Sequence, residues 1–149
     1  MKIILIILAA MLTSLFGPQA YAAKSVLVLV AVNHSVITQL TPEEVRRLYV
    51  GIPIEVGGHA IEPLVNASDS LLQEIFMQQV LFMSTEAYTR QNESGAYRKE
   101  VAKTPVYTEM PALIAALKAN PYAVTYMLKV TAATLPDLKI IAELWRSEE

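Results

Sequence analysis

Residues 63–81 read PLVNASDSLLQEIFMQQVL: a short apolar segment, a polar stretch and an apolar pattern of helical period. Apolar residues recur three and four positions apart from Leu72 to Val80, which predicts an amphipathic helix. The polar stretch ends at Ser70, where we expect this helix to begin. Open backbone amides and the helix dipole favour a bound anion at such an N-terminus. The stretch therefore predicts a strand, a loop able to attract an anion, and a helix.

The same residues are also compatible with ordinary helix capping. Ser70 and Gln73 have the spacing of a capping box, which would satisfy the first amides of the helix without any ligand. Asp69 would repel an anion, although it could accept a proton from a protonated oxyanion. Asn66 and Ser68 add short hydrogen-bonding side chains just before it. Taken alone, these residues leave both interpretations open.

Upstream of this stretch, residues 25–33 (SVLVLVAVN) form an apolar run rich in β-branched residues. Such a run is typical of a strand that is buried on both faces of a sheet covered by helices. A helix is predicted after it: Thr41 is a good N-cap, Pro42 stands at the first helical position, and Glu44 completes a capping box. Gly51 is the stop signal of that helix.

The remaining segments continue the alternation of helices and strands. In chain order we predict a turn at Gly57-Gly58, a helix capped by Ser84 or Thr85, a loop over residues 93–107, a helix capped by Thr108 and ended by Asn120-Pro121, and strands over residues 122–131 and 138–144. The two late strands could form a hairpin or an added edge. This order predicts one layered α/β domain.

The N-terminus reads as an export signal. Residues 3–16 are uncharged and largely apolar, and Ala20-Tyr21-Ala22 fits the small-x-small pattern of a cleavage site. A membrane-spanning helix needs about twenty residues, which is more than this run supplies. We therefore expect residues 1–22 to be a cleaved signal peptide, with an uncleaved anchor as the alternative. Residues 23–149 would then form one domain in the periplasm.

Composition excludes several classes of function. The chain has 12 Lys and Arg against 14 Asp and Glu, a formal net charge of −2, and no basic block, so nucleic acid is not an expected partner. It has no cysteine, which excludes disulfides and thiol catalysis. Its two histidines lack the spacing of a metal site, and no nucleophile elbow, P-loop or HExxH motif occurs. We therefore expect no enzyme, no cofactor and no metal.

Two further residues are candidates for a ligand site. Asn33 and His34 follow the first predicted strand at its carboxyl end, where open α/β sheets place their ligands. They could face the same cleft as Ser70, although a histidine in an exposed loop is the commoner case.

The segments together resemble small exported proteins of the phosphate-type periplasmic binding superfamily. Four segments carry the resemblance, in order: VLVLVAVN, LTPEEVRRLYVGIPIEV, IEPLVNASDSLLQEIFMQQVLFMSTEAY and VYTEMPALIAALKANPYAVTYM. The second resembles the family's helix and following glycine, the third its strand, anion loop and helix, and the fourth its helix, Asn-Pro and strand. The resemblance implies a three-layer, periplasmic-binding-protein-like (type 2) single lobe with a mixed sheet.

The family's anion loop has the pattern R-x-D-G-S-G-T. On this chain Asn66 stands in the arginine place, Ser68 in the aspartate place and Asp69 in the first glycine place. Ser70 matches the serine, while Leu71 replaces the second glycine and a leucine follows in the threonine place. The family's fixed cation is therefore missing. A charged hydrogen bond contributes about 1.5–3 kcal/mol, so its loss implies weak binding.

The resemblance implies a non-catalytic solute-binding protein that takes phosphate or a similar oxyanion and works with a membrane transporter. The alternative is an interaction or sensor module that kept this fold, lost the ligand and works through a protein partner. The candidate ligand-binding residues are Ser70, Ser68, Asn66, Asp69, Leu71, Asn33 and His34.

Overall fold

The computed structural model describes residues 24–97 and 102–148. The predicted signal peptide, residues 1–22, lies outside them. The elements in chain order are β1 (Val26–Val32), α1 (Pro42–Tyr49), β2 (Glu55–Val56), β3 (His59–Ala60), β4 (Glu62–Pro63), β5 (Val65–Asn66), α2 (Ser70–Ile75) continued by a π-helix (Phe76–Val80), α3 (Thr85–Tyr97), β6 (Val106–Tyr107), α4 (Met110–Ala119), β7 (Ala123–Leu128), α5 (Lys129–Ala132) and β8 (Leu138–Arg146).

Strand β1 lies inside a four-stranded mixed sheet of order β4-β7-β1-β8. It runs antiparallel to both neighbours, while β4 is parallel to β7. Its residues are buried along their whole length, as the apolar run predicts. Leu27 and Leu29 pack with α1, α2 and α3 on one face, and Val28 and Val30 pack with α4 and α5 on the other. The three-layer α/β prediction is therefore confirmed.

Strands β7 and β8 do not pair with each other as a hairpin. They lie on opposite sides of β1, and the short helix α5 begins the connection between them, where a longer strand was predicted. Strand β8 is an edge of the sheet, as the second alternative proposed. Its pairing with β1 shifts register twice, and Glu143 and Arg146 form an exposed ion pair on it at 2.9 Å.

Helix α1 begins with the predicted capping box. Thr41 Oγ1 accepts from the Glu44 amide at 3.2 Å, and the Glu44 carboxylate accepts from the Thr41 amide at 2.7 Å. Gly51 follows the helix with φ 97°, and Gly57 and Gly58 form the β2–β3 turn at φ 60° and 80°. Positive φ angles are strained for other residues, which explains glycine at these positions.

Two helix boundaries differ from prediction. Helix α3 is capped by Ser84, whose Oγ accepts from the Ala87 amide at 3.1 Å, but it continues to Tyr97 where a loop was expected. Helix α4 has Glu109 as its N-cap residue instead of Thr108, and no described side chain caps it. Residues 93–97 include a serine and a glycine, which lower helix propensity, but propensity is only a weak guide to where a helix ends.

Three aromatic rings form the centre of the larger core. Phe76 of the π-helix stacks on Tyr126 of β7 with ring centroids 3.7 Å apart, and Tyr49 of α1 meets Phe76 edge-on at 4.8 Å. Tyr49 donates to the Leu64 carbonyl and Tyr126 to the Asn66 carbonyl, both at 2.9 Å. The rings therefore join α1, the π-helix and β7 to the β4–β5 segment.

The π-helix ends in a strained residue. The Leu81 amide bonds to the Phe76 carbonyl, the five-residue step of a π-turn, and Phe82 then adopts φ 57° with its ring exposed. This left-handed conformation costs roughly 1–2 kcal/mol in a residue with a side chain. Arg46 offsets part of the cost, since its guanidinium lies 4.5 Å from the Phe82 ring centroid and donates to the Val80 carbonyl.

The buried tyrosines predict loss of stability in alkali. Burial raises the pKa of Tyr49, Tyr88 and Tyr126 above the ordinary value, and nearby tyrosines add to this for Tyr49 and Tyr126. Their stabilising effect is present below about pH 10 and is lost above it, because the unfolded chain ionises first. Tyrosinate absorbance followed together with circular dichroism should show these residues ionising only as the fold is lost. Full ionisation of all tyrosines in a chain that keeps its native spectrum would contradict this.

Candidate functional site

The loop between β5 and α2 is shaped by Asn66. This residue is fully buried, and its Nδ2 donates to the Tyr126 carbonyl at 3.0 Å. Its Oδ1 accepts from the amide of Ser68 at 3.1 Å and from the Ser68 hydroxyl at 2.6 Å. The side chains of Asn66 and Ser68, both predicted to help bind a ligand, therefore bond to each other and to the sheet.

Helix α2 begins at Ser70, but Asp69 is its cap. Asp69 has extended backbone angles, and its carboxylate accepts from the Leu72 amide at 3.1 Å. The predicted capping box of Ser70 and Gln73 is therefore wrong. Both Asp and Ser are good N-caps, and Ser70 lies one position inside the helix once Asp69 takes that place. The carboxylate of Asp69 occupies the type of position in which an anion would otherwise bind.

Ser70 and Leu71 remain open at the helix start. Both residues are exposed. The structure shows no acceptor for their amides in the part of the chain that it describes. Two backbone donors and one hydroxyl are therefore available to solvent at this end.

A small polar hollow of about 240 Å³ lies against Ser70. Ser70, Ser84 and Thr85 line it together with Gln73 and Gln78. Its wall also contains two carboxylates, Glu74 and Glu86, and among its described lining residues there is no lysine or arginine. The hollow has many hydrogen-bonding groups and a negative character.

Asn33 and His34 lie at the other end of the sheet from Ser70. Strand β1 ends beside the start of β7, whereas Asn66 bonds to Tyr126 toward the end of β7. Asn33 donates through Nδ2 to the Pro136 carbonyl at 2.6 Å, and His34 is exposed. The expectation that these two residues face the same cleft as Ser70 is therefore wrong, because the strands run antiparallel.

Asn33 and His34 line a separate hollow of about 310 Å³. Lys118 and Asp137 share its wall and form an ion pair at 2.9 Å. The one cation among those four side chains is therefore already paired.

A pocket that the sequence did not reveal lies between α3 and residues 103–106. It measures about 460 Å³, and Tyr88 and Asn92 of α3 line it together with Thr104. Residues of β5, α2 and β6 also contribute to its lining, so its members are scattered along the chain. No local motif could have indicated it, because the residues that line it come together only in the folded chain.

The described residues contain no group of three or more His, Asp or Glu side chains placed to hold a metal ion. Within residues 24–97 and 102–148, no helix has the length and apolar character needed to cross a membrane.

Comparison with known proteins supports the fold. No family model and no curated protein sequence matches the chain. Among solved structures, an ABC-type phosphate transport receptor from Vibrio cholerae is similar with a TM-score of 0.57 and 19% sequence identity. The match covers 79% of this chain and 46% of the receptor, so this chain spans less than half of that protein's length. The chain therefore has a periplasmic-binding-protein-like α/β fold.

The capping role of Asp69 can be measured. Asp69→Ala removes the acceptor for the Leu72 amide and should lower the free energy of unfolding by about 1 kcal/mol. Ser70→Ala should change it by less than roughly 0.5 kcal/mol, because Ser70 is exposed and does not cap. Urea denaturation of both variants measures these changes. A larger loss of unfolding free energy in Ser70→Ala than in Asp69→Ala would show that Ser70, not Asp69, caps the helix.

Proposed function

We propose that this chain is a non-catalytic, periplasmic solute-binding domain that holds phosphate or a similar oxyanion weakly at Ser70. The observation that carries the proposal is the polar hollow against Ser70 at the start of α2, together with the amides of Ser70 and Leu71, which have no acceptor among the described residues. Such amides are good donors to an oxyanion. The fold shared with a phosphate transport receptor supports a solute-binding role.

The charges around Ser70 account for weak binding. Asp69, Glu74 and Glu86 each bring a carboxylate to the helix start or the hollow. Two unit charges about 4 Å apart repel by about 1 kcal/mol even in bulk water. The described lining of the hollow offers no cation to offset this. The expected dissociation constant for phosphate is therefore millimolar, and Ser70 is the main side-chain donor.

The proposed place of action follows from the N-terminal sequence. A charged start, an apolar run of fourteen residues at positions 3–16 and a small-residue cleavage pattern support export through a cleaved signal peptide. The similar solved protein is a transport receptor, which supports a membrane transporter as the partner. On this proposal the domain passes its solute to that transporter.

A second candidate is an interaction or sensor module that no longer binds an oxyanion. The hydrogen bonds of the loop favour it, since Asn66 and Ser68 satisfy each other and Asp69 caps the helix. A loop satisfied by its own side chains keeps its shape without a ligand. Such a module would act through a protein partner.

Titration calorimetry with phosphate and with sulfate distinguishes the two candidates. The wild-type chain should release or absorb heat at millimolar anion. Asp69→Asn keeps an oxygen for the Leu72 amide but removes a negative charge, so phosphate affinity should rise at least about fivefold. Ser70→Ala should weaken binding roughly three- to tenfold through the lost hydroxyl.

Ser94→Ala is the matched control, because Ser94 is an exposed helical serine of α3 that does not line the hollow. It should leave phosphate affinity unchanged. No heat from folded wild-type and Asp69→Asn proteins would exclude the oxyanion site. Crosslinking to a co-purified membrane or periplasmic protein would then support the interaction module.

A further inference from the structure

Strand β6 has a neighbouring strand on one side only. Leu64 donates to the Val124 carbonyl of β7 at 2.9 Å, and the next residue, Val65, donates to the Pro105 carbonyl just before β6 at 2.9 Å. Adjacent residues of an extended chain point their backbone groups to opposite sides, so β6 extends the sheet on the side away from β8. The second side of β6 is therefore a strand edge without a neighbouring strand among the described residues.

Two hydrogen bonds show which residue of β6 faces that edge. Pro105 accepts from the Val65 amide, and Tyr107 accepts from the Ala67 amide at 2.8 Å, so both of these carbonyls face β5. Val106 lies between them and points its N–H and C=O the other way. Neither group has a hydrogen-bond partner among the described residues, and the side chain is 48% exposed. Val106 therefore offers one donor and one acceptor to an incoming chain.

The chain itself fills the preceding position of this edge. Thr104 lies two residues before Val106, and its backbone groups point to the same side. The side chain of Asn92 in α3 accepts from the Thr104 amide at 2.8 Å and donates to the Thr104 carbonyl at 3.0 Å. A side-chain amide thus makes at Thr104 both bonds that a peptide unit of an added strand would make. The structure shows by example which chemistry this edge accepts, and its next position is open.

The pocket between α3 and residues 103–106 gives an added strand room. It measures about 460 Å³, and Thr89, Asn92 and Glu93 of α3 line it opposite residues 104–106. An extended peptide can pair with the Val106 backbone and place a side chain in the pocket. A phosphate could accept from the Val106 amide but would face its carbonyl oxygen without a bond. The pocket and the edge together therefore fit a peptide better than a small anion.

We propose that the β6 edge binds an extended peptide segment of another protein, rich in β-branched residues, which adds one short strand beside Val106. A peptide carbonyl accepts from the Val106 amide, and a peptide amide donates to the Val106 carbonyl. β-Branched residues suit this site because they pack well against an exposed valine on a neighbouring strand. Asn92 closes the edge at Thr104, so the added strand pairs no further in that direction. The proposal does not rest on the oxyanion site, because neither Val106 nor Thr104 lines the hollow at Ser70.

Capped hexapeptides in which valine or threonine alternates with each other residue test the site, with amide hydrogen exchange of the mature chain followed by NMR. In the free protein the Val106 amide should exchange rapidly, whereas the bonded Val65 amide should be protected. A peptide that binds should slow exchange at Val106 at least about tenfold. N-methylation of its amides, one at a time, should identify one amide whose loss weakens binding about tenfold.

Val106→Pro removes the edge donor and leaves the bonds of Pro105 and Tyr107 to β5 in place, since proline is tolerated on an edge strand. It should weaken peptide binding about tenfold. Val106→Thr is the matched control, because it keeps both the N–H and the β-branch, and its affinity should stay within about twofold of wild type. Phosphate binding at Ser70 should be the same in both variants, so the two sites are tested separately.

Equal peptide affinity in Val106→Pro and Val106→Thr would overturn the proposal, as would the absence of peptide binding to the folded wild-type chain. Dimerisation of the chain that Val106→Pro alone abolishes, measured by analytical ultracentrifugation, would assign the edge to a second copy and would also overturn it. If Val106→Pro does not fold, the N-methylated peptides decide with the wild-type chain. No loss of affinity at any methylated amide would then exclude strand addition.

Discussion

The fold depends on a reciprocal pair of hydrogen bonds between Asn66 and Tyr126. The side-chain amide of Asn66 donates to the backbone carbonyl of Tyr126. The Tyr126 hydroxyl donates in turn to the backbone carbonyl of Asn66. Both residues are fully buried, so each bond satisfies a group that would otherwise be costly. Phe76 lies flat on the Tyr126 ring and carries the π-helix into the same core. One pair of side chains therefore joins the sheet, the loop before α2 and the helix that follows it.

This pair also limits what the loop can do. In the family that the sequence resembles, an arginine stands in the place of Asn66. A short amide in that place turns inward and strengthens the core instead of reaching toward a ligand. The Ser68 hydroxyl donates to the side-chain oxygen of Asn66, so it too is bonded within the loop. Stability at this position has a functional consequence, because the loop keeps its shape but contributes few donors to solvent.

Local chemistry made much of the fold predictable from the sequence. The capping box at Thr41 and the buried run of β1 depend on residues close together in the chain, and both occur as expected. The choice between Asp69 and Ser70 as the cap could not be predicted, since it depends on where Asn66 bends the loop. The placement of β7 and β8 on either side of β1 is non-local, and periodicity contains no information about strand order.

The candidate sites were predictable to a smaller extent. Residues 66–70 are contiguous, so the sequence alone locates their loop. The end of the sheet at which Asn33 lies depends instead on strand direction, which is a property of the whole sheet. Tyr88 meets Thr104 only after α3 and the following segment pack together, and their separation of sixteen positions exceeds any local motif.

The edge strand β8 has a consequence for self-association. A long free edge invites another chain to add a strand, but β8 is irregular at two points of its pairing and presents the charged pair Glu143 and Arg146. An incoming strand would have to follow a backbone that is irregular at two points and would lie beside this charged pair. This edge therefore resists open-ended, fibre-like stacking, which favours a chain that remains dispersed when it is crowded.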